Sequence, residues 1–142
     1  MVTRAGVGAM DMLAHARSCL QEASVAVRPT DRYAMAHLAA LRTAAAVLAA
    51  RTHGAAPGRR QSRNAWVLLA RVAPELEEWA AFFAAGATKR AAAQAGISSA
   101  VSTREADDLL RDAETFLGVA TRLLGLPHHP ELPGLTAPLR AG

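Results

Sequence analysis

At 142 residues the chain has the length of one domain and enough of it to bury a real core. Apolar residues make up 51% and aromatics only 4%, and alanine is the commonest type. Alanine is the best helix former and strand-favouring aromatics are scarce, so composition argues for an all-α protein and against a sheet-based one. The formal charge is +4 and the pI is near 10.5. Basicity suits an acidic partner such as nucleic acid. Fifteen of the sixteen basic residues are Arg, however, and an Ala- and Arg-rich, Lys-poor chain is also what a GC-rich genome writes everywhere.

Charge is unevenly placed. No acid lies between Asp31 and Glu75, a window that holds Arg32, Arg42, Arg51, Arg59, Arg60, Arg63 and Arg71. The acids follow later, at Glu75, Glu77, Glu78, Glu105, Asp107, Asp108, Asp112 and Glu114. This predicts a basic side and an acidic side, suited to a polyanion or to a second copy of the chain. Cys19 stands alone, which rules out an intramolecular disulfide and fits a reducing cytoplasm. The N-terminus lacks a signal-peptide core, and uncharged apolar runs such as Ala44–Ala50 are far short of the ~20 residues of a membrane span. The expectation is a cytoplasmic protein with no membrane partner.

In chain order, residues 1–8 read as a flexible N-terminus and a first helix over 9–26. Leu13, Ala16, Leu20, Ala23 and Val27 give that helix one apolar face, with Arg17 and Glu22 off it. His15 and Cys19 read as surface or packing residues. Arg28-Pro29 ends the helix, and Thr30 or Asp31 caps a second one over 30–51. Its stripe is Tyr33, His37, Leu41, Ala44 and Leu48, widened by Leu38, Ala45 and Val47. So many alanines imply close helix approach.

The stretch HGAAPGRRQS, 53–62, is a loop by its Gly and Pro content and the densest basic patch. A third helix follows with Ser62 as N-cap. Pro74 either kinks it or opens a new helix. The second option has support, because Pro suits a first helical position and Glu75, Glu77 and Glu78 suit a helix N-terminus. Trp66, Leu69, Val72, Trp79, Phe82 and Phe83 read as central core. Gly86 interrupts, and Thr88–Ala95 forms a short helical piece ending near Gly96. Ser102-Thr103-Arg104-Glu105 is a capping box, with Val101 and Ala106 as its hydrophobic staple. The last helix, about 103–124, turns Ala106, Leu109, Leu110, Ala113, Phe116, Leu117, Ala120 and Leu124 inward and stops at Gly125. The tail, 126–142, is Pro-rich and extended. The whole reads as one antiparallel four- to five-helix bundle over 9–125, without repeats.

No metal site and no cofactor follow from the sequence. The histidines lack ligand spacing to Cys19 or to one another, apart from the adjacent His128 and His129. There is no Gly-rich phosphate loop and no nucleophile elbow. Asp107 and Asp108 read as a solvated helix face.

Several strings carry a family resemblance. They are Arg32-Tyr33, Ala36-His37-Leu38 and the Ala-rich run to Arg51, then Arg63-Asn64 opening RNAWVLLARVAPELEEWAAFFAAGA, then Arg104-Glu105-Ala106. Over roughly 10–125 the chain resembles the HEPN superfamily, and within it a subfamily of high-GC Gram-positive bacteria without established activity. The resemblance implies a small helical bundle that dimerises and accompanies nucleotidyltransferases, toxins or RNA-processing systems. Many such proteins are metal-independent RNases with a signature of Arg, four to six residues, then His. His suits proton transfer at the ribose 2′-OH and Arg offers a fixed fork to phosphate. Arg32-x4-His37 meets the spacing, as do Arg122 with His128 or His129, but an Arg-rich chain meets it about once or twice by chance. In the family the signature typically opens a later helix with a polar residue after the Arg. Here that is Arg63-Asn64, and the His positions hold Leu68, Leu69 and Ala70.

The leading expectation is therefore a homodimeric HEPN-like binding or regulatory domain, associated with RNA or a nucleotide, without strong catalysis. Arg51, Arg59, Arg60, Arg63 and Asn64 are its candidate nucleic-acid contacts. The alternative is an endoribonuclease using Arg32 and His37, against a reading of His37 as a hydrogen-bonded core residue.

Overall fold

The computed structural model describes residues 4–52 and 64–126. The expected loop 53–62, its Arg59 and Arg60, Ser62 and Arg63, and nearly all of the tail, including His128 and His129, lie outside the described residues. Those described form six helices, α1 (Arg4–Val25), α2 (Pro29–Thr52), α3 (Ala65–Val72), α4 (Glu77–Ala85), α5 (Ala87–Gln94) and α6 (Thr103–Leu123). They contain no strand, so the fold is an all-α bundle.

α2 is the hub. It packs against α1, α3, α5 and α6. Ala36, Ala39, Ala40, Ala44, Ala46 and Val47 are each at most 1% exposed, so neighbours press on it from nearly every side. Methyl side chains keep the helix axes near the short end of the ~8–10 Å range, which is how one helix can touch four others. α2 is also long and apolar enough to cross a membrane by length and composition, yet 67% of its most apolar window is buried within the fold, as befits a core helix.

Several boundaries shift from the sequence reading. α1 starts at Arg4, not near residue 9. Val27 lies beyond its end and is 94% exposed, so it does not join the apolar face. α2 begins at Pro29, and the Arg32 N–H bonds to the Arg28 carbonyl, so Thr30 and Asp31 sit inside the first turn rather than at the cap. Proline lacks an N–H and has a helical φ, which fits that first position. Asn64 takes the N-cap position of α3 but makes no side-chain cap bond. Pro74 opens a fresh 3₁₀ turn, Pro74–Leu76, that leads into α4.

The aromatic core is largely as expected. Phe83 is fully buried and lies 5.3 Å from Trp66 and 5.1 Å from Phe116 between ring centroids. Phe82 is the exception, 46% exposed, because the next residue along a helix points about 100° away from Phe83. Gly96 (φ 82°) and Gly125 (φ 71°) close α5 and α6 with paired backbone bonds, Ile97 N–H to Ala92 and Gly96 N–H to Ala93, then Leu126 N–H to Thr121 and Gly125 N–H to Arg122.

The capping box of α6 is complete. Ser102 Oγ accepts from the Glu105 N–H at 3.0 Å, and Glu105 Oε1 accepts from the Ser102 N–H at 2.9 Å. Val101 and Ala106 are both buried beside it. Ser102→Ala should lower stability by about 1 kcal/mol in urea titration with an unchanged m-value. An unchanged midpoint would show that α6 does not depend on its cap.

Candidate functional site

Arg32 and His37 share α2 but serve different neighbours. The guanidinium of Arg32 reaches back to the end of α1, where Nε donates to the Ala23 carbonyl at 3.0 Å and Nη2 to the Ala26 carbonyl at 2.7 Å. Nη1 meets Asp107 Oδ1 on α6 at 2.6 Å. Carbonyls at a helix C-terminus are otherwise unpaired and carry partial negative charge, so a planar cation with several donors suits them. Asp107, rather than the adjacent Asp31 or a substrate phosphate, is the counter-charge of Arg32. Asp107, its side chain 42% exposed, is thus a solvated face residue that also forms half of a tie between α1, α2 and α6.

His37 is 1% exposed. Its Nε2 lies 2.8 Å from the Phe83 carbonyl oxygen. A carbonyl only accepts, so Nε2 carries the proton and Nδ1 is left as a bare acceptor. Nδ1 is buried and has no hydrogen-bond partner among the described residues. Trp66 and Phe83 meet the ring edge-to-face, at centroid distances of 6.1 and 6.0 Å. Burial pushes the imidazole pKa below 6.5, the Phe83 bond opposes that and the charge of Arg90 adds to it. His37 is therefore neutral at neutral pH.

The charge segregation expected from sequence is partly cancelled by pairing across elements. Arg51 holds Glu75 with both terminal nitrogens, at 3.1 and 2.7 Å, and Lys89 holds Glu105 at 2.5 Å. Asp108 pairs with Arg111 and, at 3.9 Å, with Arg104. Of the expected nucleic-acid contacts, Arg51 is thus already engaged by a carboxylate, and Asn64 is exposed at the start of α3. Arg71, exposed in the last turn of α3 without an ion pair among the described residues, was not singled out from sequence. Its place beside Arg63 in the acid-free window was the available signal.

A groove of about 410 Å³ opens beside His37. Phe82, Phe83 and Leu109 supply its apolar lining, and Asp108 and Asp112 of α6 its acidic wall. Gly86 borders it, and a Cβ there would stand 2.9 Å from Tyr33 Oη. No sequence pattern announced this groove, because its lining comes from separate helices. Among the described residues no cluster of three or more His, Cys, Asp or Glu could hold a metal ion.

Residues 23–121 match the profile of a family described as SAV_6107-like HEPN. The chain belongs to the HEPN superfamily. No curated protein and no solved structure matches it. The HEPN match runs from the end of α1 almost to the end of α6, so it takes in α2 to α5 and most of α6 but leaves out the α1 core residues Leu13, Ala16 and Leu20. Within that core the positions five to seven residues after Arg63 hold Leu68, Leu69 and Ala70, and Leu69 is fully buried. Of the other Arg–His spacings, Arg122 is exposed at the end of α6 and its histidines lie outside the described residues.

Two outcomes test these assignments. Arg32→Ala should cost about 2 kcal/mol, since it removes charged hydrogen bonds to α1 and strands Asp107, and Arg32→Lys should restore little because an ammonium cannot span that fork. Equal stability of Arg32→Lys and wild type would refute the tie. For His37, the unfolded chain takes up the imidazole proton near 6.5 and the folded chain only at lower pH. Acidification through that range therefore favours unfolding, and the stability His37 contributes is present above about pH 6.5 and declines below it. Wild type should lose Tm between about pH 7.5 and 5.5 more steeply than His37→Gln.

Proposed function

We propose that this HEPN-superfamily chain acts as a homodimeric binding or regulatory domain associated with RNA or another polyanion, without strong catalysis, in the cytoplasm. The observation that carries the non-catalytic part is the engagement of its one Arg-x4-His pair inside the fold. Arg32 is committed to the carbonyls at the end of α1 and to Asp107, and His37 is enclosed with its Nε2–H donated to the Phe83 carbonyl. A metal-independent RNase of this type needs an Arg free to hold phosphate and an imidazole that exchanges protons near neutral pH. A desolvated, neutral His37 under an aromatic cover meets neither need.

Polyanion association is supported by the acid-free window from Arg32 to Arg71. Arg59, Arg60 and Arg63 carry most of that reading, and Arg71 and the exposed Asn64 add to it. Arg51 contributes less, because Glu75 already neutralises it. Dimerisation is supported by HEPN membership and by apolar side chains left in water, Val25 at 77% and Val67 at 59% exposed.

The full chain should run as a dimer by light scattering and should leave RNA intact in EDTA. Its RNA affinity should fall by orders of magnitude between about 50 and 200 mM salt. Replacing Arg59 and Arg60 by Ala should weaken binding far more than Arg51→Ala. RNA cleavage in EDTA that His37→Gln abolishes, without loss of fold, would overturn the non-catalytic reading in favour of a metal-independent endoribonuclease. Salt-independent binding would remove the polyanion, and a monomer would remove the dimer.

A further inference from the structure

The groove beside His37 has an electrostatic character opposite to that of the chain as a whole. The protein carries a formal +4, yet the polar lining holds three carboxylates, Glu105, Asp108 and Asp112, against one cation, Lys89. They stand on successive turns of α6, so their Cα atoms rise along the groove in steps of about 4.5 and 6 Å. Glu105 is held by Lys89, and Asp108 by Arg111. Asp112 is different. It is partly buried and has no hydrogen bond or ion pair among the described residues. Burial and the neighbouring charge of Asp108 push its carboxyl above the usual range, and Arg111 opposes that only weakly.

A second feature of the groove is independent of the acids. Tyr33 is 6% exposed, and its hydroxyl makes no hydrogen bond among the described residues. That hydroxyl lies at the Gly86 border, where a single added methyl would come within 2.9 Å of it. The ring is buried while the hydroxyl oxygen keeps access to the groove and so is free to take a ligand's donor. Here the hydroxyl faces a space that Gly86 keeps open. The same lining includes hydrocarbon and aromatic side chains, Leu109, Phe82 and Phe83, with Lys89 near the Tyr33 end.

The required ligand has cationic N–H donors and an apolar body between them. An ammonium at Asp112 would supply the missing counter-charge, screen Asp108 and lie beside the half-exposed ring of Phe82, whose face attracts cations. Methylenes would cover Leu109 and Phe83, and a second nitrogen would reach Tyr33 Oη. A simple metal ion offers no apolar body, and a nucleotide phosphate would meet carboxylates. We propose that this groove is a binding site for a linear aliphatic polyamine, with Asp112 and Tyr33 as its two polar contacts. The volume, about 410 Å³, lies in the range of small-molecule sites and exceeds what one inorganic cation fills. Arg51, Asn64 and Arg71 are not among its lining residues, and the two assignments are tested by different variants, so either can fail alone.

Calorimetric titration of the full chain with spermidine at low salt tests the proposal, with putrescine, magnesium and an arginine-rich peptide as parallel titrants. Saturable spermidine binding is expected, weakened about tenfold by Asp112→Asn and several-fold by Tyr33→Phe. Asp11→Asn, on the exposed surface of α1, should leave it unchanged. Asp112→Asn should fold at least as well as wild type, since it removes a repelled carboxylate, and a thermal melt checks that. Undetectable spermidine binding at millimolar concentration overturns the proposal. So does magnesium binding equal to that of spermidine, or equal loss with Asp11→Asn, because either would mean general charge attraction. Tight binding of the peptide with none of spermidine would assign the groove to a protein partner instead.

Discussion

The close burial of α2 is the constraint on which the rest of the structure depends. A helix touched by four others has almost no face left for polar side chains. Alanine solves the spacing, because a methyl group permits close approach without leaving a void. Every longer polar residue on α2 must then reach the edge of the bundle or find a partner inside it. Arg32 and Arg51, near its two ends, reach outward and tie down the neighbours, α1 and α6 at one end and the start of the Pro74 turn at the other. Thr43 returns its hydroxyl to the Ala39 carbonyl. His37, in the interior, is left with the Phe83 carbonyl alone.

That last contact joins scaffold and site. The carbonyl lies in the final turns of α4, just before Gly86 turns the chain into α5. The same short stretch supplies Phe83 to the aromatic core, Phe82 to the groove and Gly86 to the space in front of Tyr33. His37 therefore anchors the edge of the groove, while its own chemistry is suppressed by the burial that makes it a good anchor. A core histidine and a catalytic histidine differ in solvation more than in sequence context.

The fold is all-α, and the positions five to seven residues after Arg63 hold Leu68, Leu69 and Ala70, of which Leu69 is fully buried core. Basic residues concentrate between α2 and α3, while the groove on the α4–α6 side is acidic and partly aromatic.

Local sequence determined the helices. Alanine content, the Ser102–Glu105 box, Pro74, Gly96 and Gly125 act within a few residues of themselves, so they could be read in order and were found where expected. The family resemblance was legible for the same reason, since it rests on contiguous strings. Long-range pairing was not legible. The partner of the half-exposed Asp107 is not readable because Arg32 is seventy-five residues away, and Phe82 reads as core because periodicity does not say which of two adjacent aromatics faces inward. The groove was invisible because its lining comes from α2, α4, α5 and α6. Sequence by itself determined which segments coil and which faces are apolar, because those are short-range matters of propensity and period. Tertiary structure alone decided which charges meet, how dry His37 is and where a cavity remains, because those depend on distances between helices far apart in the chain.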